Sequence, residues 1–417
     1  MNLREKKVYT VRTLDEVRGI LRSAEKFDIR NLFKRAFITT WVFASNCSLR
    51  ILRLCFFRKW GYAKREFENI VVYTVGIVGD NVVMLPALAA LRRRYRRAKI
   101  TVITNCQIWE KNGANEVLGS SAYKDNLIIL DDHPVQRKGF RFLIDKGKFN
   151  GTLCDLFVNL SPFGNRGWIG AVVREMIFAK KLGARYAIGF RMSTYSRKGM
   201  FNNVQHHFVK NEPRRSKEIV KEIGLKLAEN EDLLADDPGA KESILNKIKK
   251  YGGDNRPIFV INPGAKFQAK CWPAEYFAEI SRWIKKEHDS VIFITGIGSE
   301  NQIAEKIVRA SGDFAINFSG KTTIQELIEL LRISKGCVTN DTGTMHIAAM
   351  VGIPTVALFS LRFSPTHWLP VGQKIISIFT LADCIYCYKD SCERLDCLKN
   401  IRVDDVILGL RKVMNVG

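Results

Sequence analysis

Residues 338–359 read VTNDTGTMHIAAMVGIPTVALF. A short apolar run ends in a polar Asn-Asp-Thr-Gly turn, a helix-length stretch follows as far as Gly352, and a second apolar run begins after Pro354. A strand, a tight turn, a helix and another strand in immediate succession make the repeating unit of a parallel sheet. In such sheets the loops at the carboxyl ends of the strands carry the ligands. That rule places Asp341, Thr342 and Gly343 at a helix start whose free amides favour an anion.

The same alternation extends upstream. Strands are expected at 257–261, 290–295 and 336–339, with helices at 274–286, 300–311 and 323–333. An earlier series has strand-length apolar runs at 70–75, 99–104, 126–130, 153–160 and 185–190, with helical spacing over 81–95 and 166–182. Between the two lies a polar stretch, 229–256, broken by Pro238-Gly239 and Gly252-Gly253. No solenoid repeat is visible. The expected architecture is α/β: two doubly wound, Rossmann-like domains facing a cleft, at 70–228 and 257–417, joined by a linker at 229–256. Residues 1–69 stand apart as a basic helical arm. A chain of 417 residues is long enough for two such cores.

Composition narrows the function. With 46% hydrophobic and 26% charged residues the chain is neither disordered nor a polytopic membrane protein. Its 66 Lys and Arg against 42 Asp and Glu leave a charge of +24, which asks for an anionic partner. A nucleic-acid binder would be basic too, but neither a recognition helix nor an aromatic stacking platform is evident. From Arg30 to Arg65 there are nine Lys and Arg and no acid, interleaved with Phe33, Phe37, Trp41, Phe43 and Phe57. Such a segment either lies in an anionic bilayer interface or packs as an ordinary helical arm. Arg50 and Arg53 interrupt its apolar run, so it is a poor spanning helix. The opening MNLREKKVYTVRTLDEVRG has no secretory h-region, and a cytoplasmic setting is expected.

Four loops at the expected sheet edges carry unusual residues. GIVGDN (76–81) offers Gly76, Gly79 and Asp80; the plainer reading of Asp80 is a helix cap. NPGAKFQAKCWP (262–273) offers Lys266 and Lys270 to phosphate, or else two solvated lysines. GIGSE (296–300) offers Glu300 to ribose hydroxyls, though an acid near a helix start also suits the dipole. NDTG (340–343) is the fourth.

Taken together with FSGKTTIQELIELL (318–331), these stretches resemble glycosyltransferase family 9, the ADP-heptose:lipopolysaccharide heptosyltransferases, over about 70–413. The resemblance implies a GT-B fold and inverting, metal-independent transfer to a lipid-linked core sugar, with no cofactor. It implies further that Asp80 is the general base and that Lys270 contacts the donor diphosphate. Asp341, Thr342 and Gly343 would hold sugar and diphosphate, Glu300 the nucleoside, and His346 would be structural. Ala265 and Lys266 stand where classical members carry hydroxyl residues, so Lys266 would replace that contact electrostatically. The implied partners are a nucleotide-sugar donor, a phosphorylated lipid-linked glycan acceptor and the inner membrane's anionic cytoplasmic face, with no nucleic acid. A protein heptosyltransferase, a family member using another nucleotide sugar and an inactive sugar-nucleotide binder are the rivals.

Cys384, Cys387, Cys392 and Cys397 form a C-x2-C-x4-C-x4-C run. Its spacing suits a structural Zn or Fe, as does the resemblance, because some family members have similar cysteine-rich tails. Reduced cysteines packing a loop, or one disulfide, fit the spacing as well.

Overall fold

The computed structural model describes residues 7–24, 29–57, 65–105, 113–130, 149, 151–162, 169–190, 211–227, 231–253, 255–312, 314–382, 384 and 386–415. The chain divides into two compact units, residues 26–229 and residues 1–25 with 230–417.

The chain opens with β1 (Val8–Val11), α1 (Leu14–Ala24) and the long α2 (Ile29–Phe56). The 26–229 unit continues with β2 (Asn69–Tyr73), α3 (Val78–Arg94), β3 (Lys99–Asn105), α4 (Gly113–Leu118) and β4 (Asn126–Leu130). It ends with β5 (Leu156–Asn159), α5 (Ile169–Lys181), β6 (Tyr186–Ile188) and α6 (Glu212–Lys221). Its five parallel strands lie in the order β4-β3-β2-β5-β6. The inner strands are buried on both faces, which is why they read as continuous apolar runs.

The C-terminal unit comprises α7 (Pro238–Lys249), β7 (Ile258–Asn262), α8 (Ala274–His288), β8 (Val291–Ile294), α9 (Asn301–Ser311) and β9 (Ala315–Asn317). Then come α10 (Ile324–Ile333), β10 (Gly336–Asn340), α11 (Gly343–Val351), β11 (Thr355–Leu358), α12 (Pro365–Trp368) and β12 (Ile375–Thr380). Helices α13 (Asp396–Lys399) and α14 (Val403–Met414) close the chain. The sheet order is β1-β12-β11-β10-β7-β8-β9, all parallel except β1. Winding therefore reverses between β7 and β10 here, and between β2 and β5 in the other unit. Those reversals are where doubly wound sheets open a crevice for ligands.

The doubly wound reading holds, but two expected boundaries do not. The first 69 residues are not one arm. Strand β1 lies antiparallel along β12, and Val11, Leu14, Val17 and Leu21 bury against Phe359, Ile375 and Phe379 of the C-terminal unit. Helix α2 instead belongs to the 26–229 unit, where Leu49 joins a core with Val172 and Met176 and Arg53 pairs with Glu222 at 2.5 Å. The expected linker is also structured. Asp237 caps α7, accepting the Ala240 N–H at 2.9 Å, and Ile244 and Ile248, one helical turn apart, are buried. Lys247 and Ser243 then bond to Glu326 of α10 at 2.7 and 2.6 Å. None of β1, α7, β9, β12 and α14 was expected.

Candidate active site

Strands β7 and β10, the two central strands, end in Asn262 and Asn340, and both side chains are buried. Buried amides must be satisfied, and these two use their bonds to shape the loops beyond them. Asn340 accepts the Trp272 N–H at 3.2 Å and donates to the Pro263 carbonyl at 2.7 Å. Asn262 donates to the Thr295 carbonyl at 3.0 Å and accepts the Thr342 hydroxyl at 3.2 Å. Three carboxyl-end loops are thus tied to one another by two amides. Trp272 fixes the far end of the lysine loop: its ring is fully buried and its indole N–H reaches the Ile401 carbonyl at 3.0 Å.

Lys270 and Asp341 come from the two loops flanking the winding reversal and form an ion pair at 2.7 Å. Their side chains are only 15% and 14% exposed, so the attraction is screened far less than on an open surface. Beside them Thr342 and Gly343 open α11, whose first amides face outward from the helix start. Lys266 lies on the same loop but is exposed, its Nζ 5.7 Å from the Phe267 ring centroid. His346, one turn into α11, is buried and edge-on to Trp368 at 5.8 Å. Burial drives its imidazole down to about 4 and outweighs the attraction of Asp341, so it is neutral near pH 7.

Glu300 enters this region from β8. One carboxylate oxygen accepts the Ile297 N–H at 2.9 Å, and the carboxylate lies against Gly264 and Gly296. A Cβ built on Gly264 would stand 2.0 Å from the carboxylate, so no larger residue fits while Glu300 keeps this position. The other unit repeats the device. Asp80, half-buried in the first turn of α3, accepts the Ile77 N–H at 2.7 Å, and a Cβ on Gly76 would lie 2.3 Å from its Oδ2. Asp80 and Glu300 each stand four residues after a glycine and hold the amide of the isoleucine between.

The predicted residues Lys270, Asp341, Thr342, Gly343, Lys266 and Glu300 therefore lie on neighbouring loops of one unit, while Gly76, Gly79 and Asp80 lie at the winding reversal of the other. Sequence reading missed Asn262 and Asn340, although both occupy the last position of an apolar run. The metal expectation fares differently. Among the described residues no three His, Cys, Asp or Glu side chains come together as metal ligands would. The four tail cysteines are free thiols, and Cys392 and Cys397 pack against the apolar core instead. Burial pushes the Cys397 thiol up to about 11, with the neighbouring cysteines adding to it.

A family model described as glycosyltransferase family 9 (heptosyltransferase) matches residues 170–397, more than half of the chain. The lipooligosaccharide heptosyltransferase 2 of Campylobacter jejuni (serotype O:6) is 30% identical over 167 residues, covering 38% of this chain and 52% of that protein. The chain spans about half the length of the curated relatives it matches. Among solved structures, E. coli ADP-heptose LPS heptosyltransferase II superposes with a TM-score of 0.58 at 19% identity, covering 83% of this chain and 98% of that one. A family 9 glycosyl transferase of Veillonella parvula gives 0.61 at 19% identity, covering 85% and 99%. These likenesses extend the two-Rossmann, GT-B fold over most of the chain. With its family match running from α5 through the ligand loops to the cysteine-rich tail, the chain belongs to glycosyltransferase family 9, the heptosyltransferases.

Proposed function

We propose that the chain is an inverting, metal-independent glycosyltransferase that transfers heptose from ADP-heptose to a lipopolysaccharide core or related envelope glycan. The observation that carries this reading is the Lys270–Asp341 pair beside the α11 N-terminus, at the reversal of the sheet. In the proposed mechanism the donor diphosphate lies on the α11 amides and on Lys270, with Lys266 adding charge from the exposed side. As the glycosidic bond breaks, negative charge grows on the departing diphosphate, and these fixed dipoles and cations stabilise it with no resident metal. Asp341, Thr342 and Gly343 orient the sugar, Glu300 meets the nucleoside, and Asp80, flanked by Gly76 and Gly79, takes the proton from the attacking acceptor hydroxyl. Names of the relatives support the donor and acceptor class.

Calorimetric titration against a panel of nucleotide sugars tests this directly. ADP-heptose should bind at least about tenfold more tightly than UDP- or GDP-sugars, since a difference of about 1.4 kcal/mol is one decade. Equal binding of all of them would sink the donor assignment.

We further propose that the enzyme works peripherally at the cytoplasmic face of the inner membrane, where its lipid-linked acceptor is made. No described helix is long and apolar enough to cross a membrane. Helix α2 nevertheless exposes Phe43, Ile51 and Leu54 on one side, at 70%, 62% and 39% exposure, with Arg50 among them. Apolar side chains beside a cation match an anionic bilayer surface. Because β1 and α1 belong to a folded core, deletion of the N-terminus is a poor test. Changing Phe43, Ile51 and Leu54 together to Ser should weaken binding to phosphatidylglycerol vesicles about tenfold or more while leaving donor binding intact. Unchanged vesicle binding would remove α2 from the membrane contact.

A further inference from the structure

The lysine loop is gripped from a side that the mechanism above does not use. Arg362, two residues past Ser360 on the loop that follows β11, is 4% exposed and makes no use of solvent. Its Cζ lies 3.8 Å from the Phe267 ring centroid and 4.4 Å from that of Phe363, so the planar guanidinium packs between aromatic rings. Its edge is spent on the cysteine-rich segment. Nε donates to the Lys389 carbonyl, and Nη2 to the Asp390 carboxylate and to the Tyr388 carbonyl at 3.2 Å. Among the described residues the remaining Nη1, which is buried, has no hydrogen-bond partner. A buried donor left unsatisfied is costly, and here the ring contact is what offsets it.

Two further bonds join the same partners. The Ala269 N–H donates to the Asp390 carbonyl at 3.1 Å, and the Cys392 N–H donates to Gln268 Oε1 at 2.8 Å. The cysteine-rich segment therefore holds Gln268 and Ala269, and Arg362 holds Phe267, the residues immediately before Lys270. That segment is itself tightly determined. Tyr386, Tyr388 and Leu395 adopt left-handed backbone angles, φ 59°, 54° and 48°, which are unfavourable for such side chains and persist only when surroundings impose them. The Tyr386 N–H is bonded to the Leu361 carbonyl at 2.6 Å and the Tyr388 N–H to the Arg362 carbonyl at 3.3 Å, so the strained turn wraps Arg362 itself.

We propose that Arg362 is a positioning residue for the donor site: it locks the cysteine-rich segment onto residues 267–269 and so sets where Lys270 stands. The inference rests on the reading that Lys270 meets the donor diphosphate. Its consequence is a coupling between the donor loop and the tail cysteines. Whatever tightens the loop must protect the segment, and whatever disturbs the segment must loosen donor binding, by the reciprocity of linked equilibria. Lysine does not substitute at Arg362, since a point charge supplies neither the flat face nor the fork.

The test uses full-length Arg362→Met, Arg362→Lys and Gln268→Met, with Lys270→Ala alongside. Gln268 is exposed, so its variant keeps the fold even if removing the buried arginine does not. Donor KM and ADP affinity should weaken at least about fivefold in each folded Arg362 or Gln268 variant, the lower end of measured couplings. Turnover (kcat) should fall with them because Lys270 also stabilises the departing diphosphate, while acceptor KM stays within about twofold. In the unaltered protein ADP should slow iodoacetamide alkylation of Cys392, located by mass spectrometry, and in Gln268→Met this protection should fall away. Donor affinity and Cys392 protection both unchanged in a folded variant would overturn the proposal. If Lys270→Ala also leaves ADP affinity unchanged, the donor-loop reading fails, and the inference fails with it.

Discussion

Asp80→Asn should lower turnover by about 10²–10⁴ while leaving the melting temperature and donor affinity close to those of the unaltered protein. The magnitude is the usual contribution of a positioned general base. The structure explains why the comparison is clean. One Asp80 oxygen accepts the Ile77 N–H at 2.7 Å, and the carboxylate fills the space that a side chain on residue 76 would need. Asn presents the same carbonyl oxygen to that amide and fills the same volume, so the start of α3 is kept. What Asn lacks is the capacity to receive a proton. If Asp80 only organises the turn, as Glu300 organises its own, Asn restores nearly the full rate. Steady-state transfer rates, with melting temperature and donor affinity on the same sample, separate the two roles. A near-normal rate would strike Asp80 from the mechanism and pass the base role to Asp341.

The resemblance between Asp80 and Glu300 shows how far sequence reading reached. Both were singled out by residue type and by their place after a strand, and both lie on the loops expected. The plainer reading of Asp80 as a cap already anticipated that it turns back onto its own loop, whereas the close fit of the two carboxylates against Gly76, Gly264 and Gly296 was not legible. Most strands buried on both faces announced themselves as apolar runs, but the wholly buried β12 went unread, as did the three-residue β9, although the equally short β6 was expected. The arm illustrates a different limit. Its charge pattern described a surface, but Leu14, Val17 and Leu21 bury against strands about 350 residues away, and no local pattern identifies so distant a partner. Asn262 and Asn340 were missed for a related reason. An asparagine after an apolar run looks like a turn residue until the register of β7 beside β10 brings both amides to the same edge.

Lys270→Ala should weaken ADP and ADP-heptose binding by about 1.5–3 kcal/mol, the worth of a hydrogen bond to a charged group, or roughly 10- to 150-fold. Two effects act in the same direction. The diphosphate loses its cation, and Asp341 loses the ammonium now 2.7 Å away, so that a poorly solvated carboxylate is left facing an anionic ligand. The second effect is separable. Adding Asp341→Asn to Lys270→Ala removes the uncompensated charge, and part of the lost affinity should return; a double-mutant cycle gives the coupling. A third measurement fixes which part of the ligand is involved. Adenosine carries no phosphate, so its weak binding should be the same in the variant as in the unaltered protein. Equal losses for adenosine and ADP would mean that the loop has collapsed rather than that a phosphate contact has gone. An unaltered ADP affinity would place the diphosphate away from Lys270, leaving Lys266 and the α11 amides to hold it.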